Sequence, residues 1–274
     1  MKLAGKTAWI TGAGRGLGGA VAQTFAREGA QLVLCDIDAD ALAETAAAVQ
    51  AEGAVCLARL CDVSDRAAVD QLAADAVARF GALDVLVNNA ARIPASAEEA
   101  QRRNRHYAHA TTPQPRQSLG IVSGLSDDDW LKWWDVNVHG VFYCTRAALR
   151  VMEPRRSGRI INIASIAGLG AASMHSPGYS ASKAAVISLT QTTAYDVAGA
   201  NILVNAIACG GVHTPPFEAY LAGATEAQRN SLFQMVPMGR LGRPEEYAAL
   251  ALFLAAEAHY LVGQVISPNG GIVI

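Results

Sequence analysis

The stretch TAWITGAGRGLG, residues 7–18, joins a β-branched run to the start of a helical pattern through Gly12, Gly14, Gly16 and Gly18. Glycines at such a junction let the backbone turn tightly and lie close to a ligand. The helix that opens after them offers unpaired N–H groups and the positive end of its dipole. Glycine strings also make ordinary turns. The weight here comes from position, between a strand and a helix at the start of a βαβ unit. The stretch therefore predicts a pyrophosphate cradle formed by Gly12, Arg15, Gly16, Leu17 and Gly18.

Outward from this point, short apolar runs alternate with Ala-rich helical segments. Strands are predicted at 7–11, 31–36, 54–60, 83–89, 159–165, 202–208 and 264–267. Helices are predicted at about 16–28, 39–52, 65–80, 178–197 and 244–257, with a less regular helical segment at 215–234. A further helix starts at Ser126, whose oxygen can cap it ahead of Asp127, Asp128 and Asp129. In it Trp130, Trp133, Trp134 and Val141 form an apolar stripe that predicts core. Strict alternation of this kind gives an α/β fold: a doubly wound parallel sheet with helices on both faces and ligands beyond the carboxyl ends of the strands. The absence of a repeat or a Gly/Ser linker predicts a single domain over 1–274.

Asp36 ends the second predicted strand, 18 residues after Gly18. A carboxylate there can accept both hydroxyls of an adenosine ribose and repel a 2′-phosphate. Asp36 and Asp38 also both precede a helix, so capping is the competing explanation. Arg15 points the other way, because a guanidinium would welcome a 2′-phosphate. Charge repulsion at contact distance is the stronger effect, so NAD is expected over NADP.

The bulk composition narrows the function classes. The chain is 51% hydrophobic and 17% charged, with a net charge of −2, as suits a compact protein with no polyanion-binding surface. No apolar run approaches the ~20 residues that span a bilayer, and the N-terminus lacks a secretory pattern. Five cysteines without a CxxC pair predict reduced thiols, no metal site and a cytoplasmic location. QRRNRHYAHATTPQPRQ, residues 101–117, is a basic stretch with no acid, but it is too isolated for a nucleic-acid footprint.

Tyr179 and Lys183 lie four apart on a predicted helix and so share a face. Free tyrosine titrates near ~10 and is a poor base at neutral pH, but a nearby ammonium favours the phenolate. Such a tyrosine can take a proton from an alcohol as hydride leaves, or return one to a ketone.

With these motifs in order, T11-G12-x-x-x-G16-x-G18, D62-V63, N88-N89-A90, N137, S165, Y179-x-x-x-K183 and N205-A206 through G210 to T214, the chain resembles the short-chain dehydrogenase/reductase family over nearly its whole length. The resemblance implies a Rossmann-type sheet of about seven strands, a homotetramer or homodimer, and a small-molecule alcohol or ketone substrate. It implies that Tyr179 is the acid/base, and that Lys183 lowers its pKa and holds the nicotinamide ribose. Ser165 would hold the substrate oxygen, and Asn137 a water in a proton relay. Asp62 and Val63 would touch the adenine, Asn89 and Ala90 the adenosine and phosphate side, and Val212 and Thr214 the carboxamide. The reaction implied is reversible hydride transfer between a secondary alcohol and NAD. A 3-oxoacyl-thioester reductase and a non-catalytic dinucleotide sensor are the alternatives.

Some positions depart from the family's pattern. Ala91 stands where a glycine is usual, and Cys209 where a proline is usual. Cys209, without a base or metal partner, is expected to pack. His175 lies in a long loop between Ser165 and Tyr179 and either contacts substrate or is solvated. Residues 213–238 resemble the family's substrate lid, with Phe217, Tyr220, Leu221, Phe233 and Met235 as an apolar wall. From Ala91 to Asn137 the chain spends 45 residues, so about 20 of them, at roughly 97–122, are read as an inserted loop. Arg102, Arg103 and Arg105 in it would attract an anionic substrate or meet a neighbouring subunit.

Overall fold

In the computed structural model, which describes residues 1–113, 115 and 117–273, the alternation of the sequence becomes one parallel sheet. Its strands are β1 (Thr7–Thr11), β2 (Gln31–Asp36), β3 (Cys56–Leu60), β4 (Val85–Asn88), β5 (Gly158–Ser165), β6 (Ile202–Cys209) and β7 (Val265–Ile266), in the order β3-β2-β1-β4-β5-β6-β7. The chain winds outward from β1 to β3, then returns and winds outward from β4 to β7. Neighbouring strands diverge at their carboxyl ends where this reversal occurs, between β1 and β4, and a crevice opens there.

Both faces are covered, which explains the near-continuous apolar strands. On one face Ala8, Ile10, Leu32 and Leu34 pack under α1 (Gly16–Arg27), α2 (Ala39–Ala51) and a late helix, Pro244–Ala256. On the other, Trp9, Val33 and Leu86 pack under α3 (Arg66–Phe80) and later helices at Val141–Arg155 and Pro177–Val197. Successive residues of β1 thus enter opposite cores. Each large side chain such as Trp9 or Phe25, both wholly buried, contributes about 1.5–3 kcal/mol.

Residues 101–111 of the basic stretch are helix and not the expected loop. After β4 the chain forms α4 (Ala97–Thr111), begun by a reciprocal cap. The Glu99 N–H donates to the Ser96 hydroxyl at 3.3 Å, and the Ser96 N–H donates to Glu99 Oε2 at 3.2 Å. Glu99 is 2% exposed. Its Oε1 accepts from the Ser176 hydroxyl at 3.4 Å and lies 3.8 Å from Lys132 Nζ and 4.0 Å from Arg102. A buried carboxylate among two cations, rather than an apolar stripe, anchors this helix. That is why a search for apolar periodicity passes over it, although S96-x-x-E99 is the signature of a helix start. Gln114 and Arg116 of the basic stretch lie outside the described residues.

The segment begun by Ser126 also departs from expectation. A short α5 (Asp127–Leu131) is followed by a π-helical turn, Asp135–Gly140, before α6 (Val141–Arg155). The wider turn shifts the helical phase. Trp133 and Val141 are buried as expected, whereas Trp130 is 38% exposed. The chain continues through α7 (Pro177–Val197), α8 (Pro215–Gly223), α9 (Glu226–Gln234) and α10 (Pro244–Ala256). The expected irregular segment at 215–234 is therefore two helices, and α9 packs against α4.

Glu99→Gln would remove the charge that Lys132 and Arg102 share while keeping the side chain's shape. Hydrogen exchange of the 97–111 amides is expected to accelerate about tenfold, for a loss near 1.4 kcal/mol, with β1 and β4 unaffected. Unchanged exchange in α4 would contradict this anchoring role.

Candidate active site

The turn from β1 to α1 is held from both sides of the crevice. The N–H groups of Asn89 and Ala90 each donate to the Thr11 hydroxyl at 3.0 Å. The Asn89 amide donates to the carbonyls of Thr11 at 3.0 Å and Gly12 at 2.8 Å. Gly12 has φ +61°, and a Cβ there would lie 2.8 Å from the Ala90 Cα. A Cβ on Gly18 would overlap the Gly12 carbonyl oxygen. Gly18 therefore packs beneath the loop, while Gly12, Arg15, Gly16 and Leu17 line the cleft. The N-cap residue of α1 is Arg15, which makes no side-chain cap. Its first-turn N–H groups are left for a ligand.

At the end of β2, Asp36 accepts from the Gly14 N–H at 2.8 Å and from the Asp38 N–H at 3.1 Å. Asp38, not Asp36, caps α2, accepting from the Ala41 N–H at 3.1 Å. Arg15 is ion-paired with Asp38. Asp62, braced by the N–H and hydroxyl of Ser64 at 2.9 and 2.7 Å, lines the same end with Val63. Asn89, Ala90, Ala91, Val212 and Thr214 line the cleft further along. The backbone approach at Gly12 and Gly18, the uncapped helix start and the carboxylate at the end of β2 together fit a nicotinamide dinucleotide.

Ser165 ends β5 opposite Cys209 at the end of β6. Its oxygen accepts from the Ala167 N–H at 3.1 Å. Tyr179 stands in the first turn of α7, where Pro177 preorganises the helix start. The ring of Trp133 meets it edge-on, 5.5 Å between centroids. The preceding Gly178 has no room for a Cβ, which would lie 2.8 Å from Trp133 Nε1. One turn later Lys183 is 3% exposed. Its ammonium donates to the Ile163 carbonyl at 2.9 Å and lies 5.9 Å from the centre of the Tyr179 ring.

The electrostatics differ from expectation. Burial pushes the Tyr179 phenol up to about 12, against a smaller opposite effect of its hydrogen bond with Ser165. Burial also brings Lys183 down to about 8. In the protein alone, desolvation thus outweighs any activation of the tyrosine by the lysine. Burial pushes Cys209 up to about 12 as well, so it is a packed thiol and not a nucleophile.

Asn137 lies in the π-helical turn and does not line the cleft. Its Oδ1 accepts from the Arg92 N–H at 2.7 Å, and its Nδ2 donates to the Arg92 carbonyl at 3.1 Å and to Ser182 Oγ at 3.1 Å. The side chain ties the irregular segment after Ala91 to α7.

The far end of the cleft, about 1280 Å³ in all, is built by α4, α8 and the loop before α7. That volume exceeds the ~300–1,000 Å³ of an ordinary small-ligand pocket, which leaves room for a dinucleotide and a second molecule. Phe217, Tyr220 and Met235 line it, whereas Leu221 and Phe233 do not. His175 lines it too and is not solvated: it is 5% exposed. Of the three candidate arginines only Arg103 reaches the cleft. Arg102 is paired with Glu99 and Asp129, and Arg105 is exposed. His106 and Tyr107 also line this end, unanticipated because α4 was read as a loop. As a helix, positions 103, 106 and 107 share one face. Among the described residues no group of His, Cys, Asp or Glu is placed to hold a metal ion, and no helix is long and apolar enough to cross a membrane.

Comparison with known proteins agrees with this site. A family model described as short chain dehydrogenase matches residues 6–223. A 3-oxoacyl-(acyl-carrier-protein) reductase of Thermotoga maritima is 34% identical over 100% of both chains. A sorbitol dehydrogenase of Cereibacter sphaeroides is 35% identical over 99% of this chain and 98% of its own. The crystal structure of levodione reductase superimposes with a TM-score of 0.84 at 30% identity, covering 98% of each chain. The cradle, the Tyr179–Lys183 face and these likenesses over the full length agree: the chain belongs to the short-chain dehydrogenase family of oxidoreductases.

Proposed function

We propose that the protein interconverts a secondary alcohol and its ketone with NAD in preference to NADP. The observation that carries the reaction is the convergence of Ser165, Tyr179 and Lys183 at the ends of β5 and the first turns of α7. Bound in the cradle, the oxidised dinucleotide supplies the hydride acceptor and a positive charge beside Tyr179. That charge acts against the burial that holds the phenol near 12. Tyr179 then takes the hydroxyl proton as hydride leaves the carbinol carbon, or returns it to the ketone oxygen in reverse. The Ser165 hydroxyl holds the same oxygen. Lys183, fixed by the Ile163 carbonyl, presents its ammonium to the ribose and to the phenolate. Both polar atoms of the Asn137 side chain are engaged by Arg92 and Ser182, so in this reading the residue positions the start of α7 rather than holding a relay water with its side chain.

The preference for NAD rests on Asp36. Two backbone N–H groups hold its carboxylate at the end of β2, where it suits ribose hydroxyls and repels a 2′-phosphate. Arg15, the cation that would attract that phosphate, is neutralised by Asp38. The likeness to a 3-oxoacyl reductase supports thioester reduction as the second reading of the same site.

Tyr179→Phe is expected to lower kcat by about 10²–10⁴-fold while leaving NADH binding, read by fluorescence titration, unchanged. Near-normal turnover would overturn the assignment. Asp36→Ala is expected to raise the ratio of kcat/KM with NADP to that with NAD about tenfold or more, the equivalent of ~1.4 kcal/mol of removed repulsion. A fixed ratio would place cofactor choice elsewhere.

A further inference from the structure

We propose that α4 and the loop before α7 form an oxyanion site at the far end of the cleft, and that the substrate is a secondary alcohol or ketone carrying an anionic group. This rests on the reading of the cleft as a dehydrogenase site and names the class of substrate it admits.

The argument begins with a contrast between adjacent arginines. Arg102 has Glu99 and Asp129 beside it. Arg103, turned to the cleft, has no carboxylate partner among the described residues, although the Nε of each arginine is buried without a hydrogen bond. Its guanidinium carbon lies over the Tyr220 ring, 4.1 Å from the ring centroid. Arg103 is a half-buried cation whose neighbour is the face of an aromatic ring and not a carboxylate, whereas Arg102 on the same helix is paired with two acids.

Around Arg103 the other polar groups are also unspent. His175 is 5% exposed, and its Nδ1 has no partner. Its ring stacks on His106 at 6.2 Å, and the Nδ1 of His106 is unpartnered too. The Tyr220 hydroxyl lacks a partner as well. Buried polar groups in native proteins are normally bonded, so several orphans around one cavity mark a missing ligand. The carboxylates lining the cleft are Asp36, Asp38 and Asp62, all at the adenosine end. The far end therefore holds a fixed positive charge, two imidazoles and the phenols of Tyr107 and Tyr220, with no acid among its described lining residues.

The imidazoles act as neutral donors here. Burial, with Arg103, His106 and Arg102 close by, brings His175 down to about 3, and burial lowers His106 as well. Arg103 thus supplies the charge, and the rings supply N–H groups. Such a set suits carboxylate, sulfonate or phosphate oxygens alike.

The test uses the protein saturated with NADH, so that the cradle is filled, and follows histidine side-chain signals by NMR. Acetate, methanesulfonate, inorganic phosphate and neutral acetamide are titrated separately. At least one anion is expected to shift the His106 and His175 signals saturably, while acetamide does not, and the responsive anion identifies the oxyanion type. Arg103→Met is expected to weaken that binding at least tenfold and Arg103→Lys by only a few-fold. Arg105→Met should bind as the unaltered protein does. If no anion exceeds acetamide, the site is overturned. Equal loss in the Lys and Met variants would overturn the role of charge. In turnover assays the binding anion should compete with the alcohol and not with NAD; inhibition uncompetitive or noncompetitive with the alcohol would overturn its place in the substrate site. A lack of NAD-linked turnover with intact anion binding would refute the dehydrogenase reading alone.

Discussion

Thr11 and Asn89 join the two halves of the sheet where the strand order reverses. One hydroxyl accepts two N–H groups from the end of β4, and one amide donates to two carbonyls at the end of β1. These four bonds are part-buried at the edge of the crevice, and together they satisfy the polar groups that end β1 and β4. Gly12 and Gly18 make the same approach possible by omitting a Cβ. The position of α1, and therefore of its free N–H groups, follows from this closeness.

Once that crevice exists, charge organises it. Carboxylates gather at one end, where Asp36 and Asp62 are held by local donors. The other end has Arg103, His106 and His175 and no acid among the described lining residues. Between them lies Tyr179, against Trp133 and one turn from Lys183. Such a separation orients a bipolar ligand pair along the cleft before any close contact is made. Tyr179 is left in a desolvated position, where burial holds its proton on the phenol.

The helix α4 connects these features. Glu99 fixes α4 to the start of α7 through Ser176, two residues away from Gly178 and three from Tyr179. Arg103, on the same helix, reaches Tyr220 on α8. α4 thus touches both α7, which carries Tyr179 and Lys183, and α8. In the reading proposed above, an anion bound by Arg103 and His175 would tie these elements together.

Much of this was legible in the sequence because it depends on local rules. Strand and helix alternation, the glycines of residues 12–18 and the i, i+4 spacing of Tyr179 and Lys183 follow from backbone sterics and helical period, and the alternation sufficed for the fold class; the reaction class came with the resemblance of the ordered motifs to a family. Other features depended on neighbours distant in the chain. That Gly18 packs rather than binds, that Asp38 takes both the cap and Arg15, and that Asn137 spends its side chain on Arg92 and Ser182 are outcomes of competition among partners. The basic stretch was the hardest case. Its helix is held by a buried carboxylate and not by an apolar stripe, so hydrophobic periodicity carried no trace of it. The sequence by itself determined which groups the protein has for cofactor and chemistry. Only the tertiary structure decided which were buried, which were neutralised and which were left unpaired, because burial and pairing are properties of the space between elements.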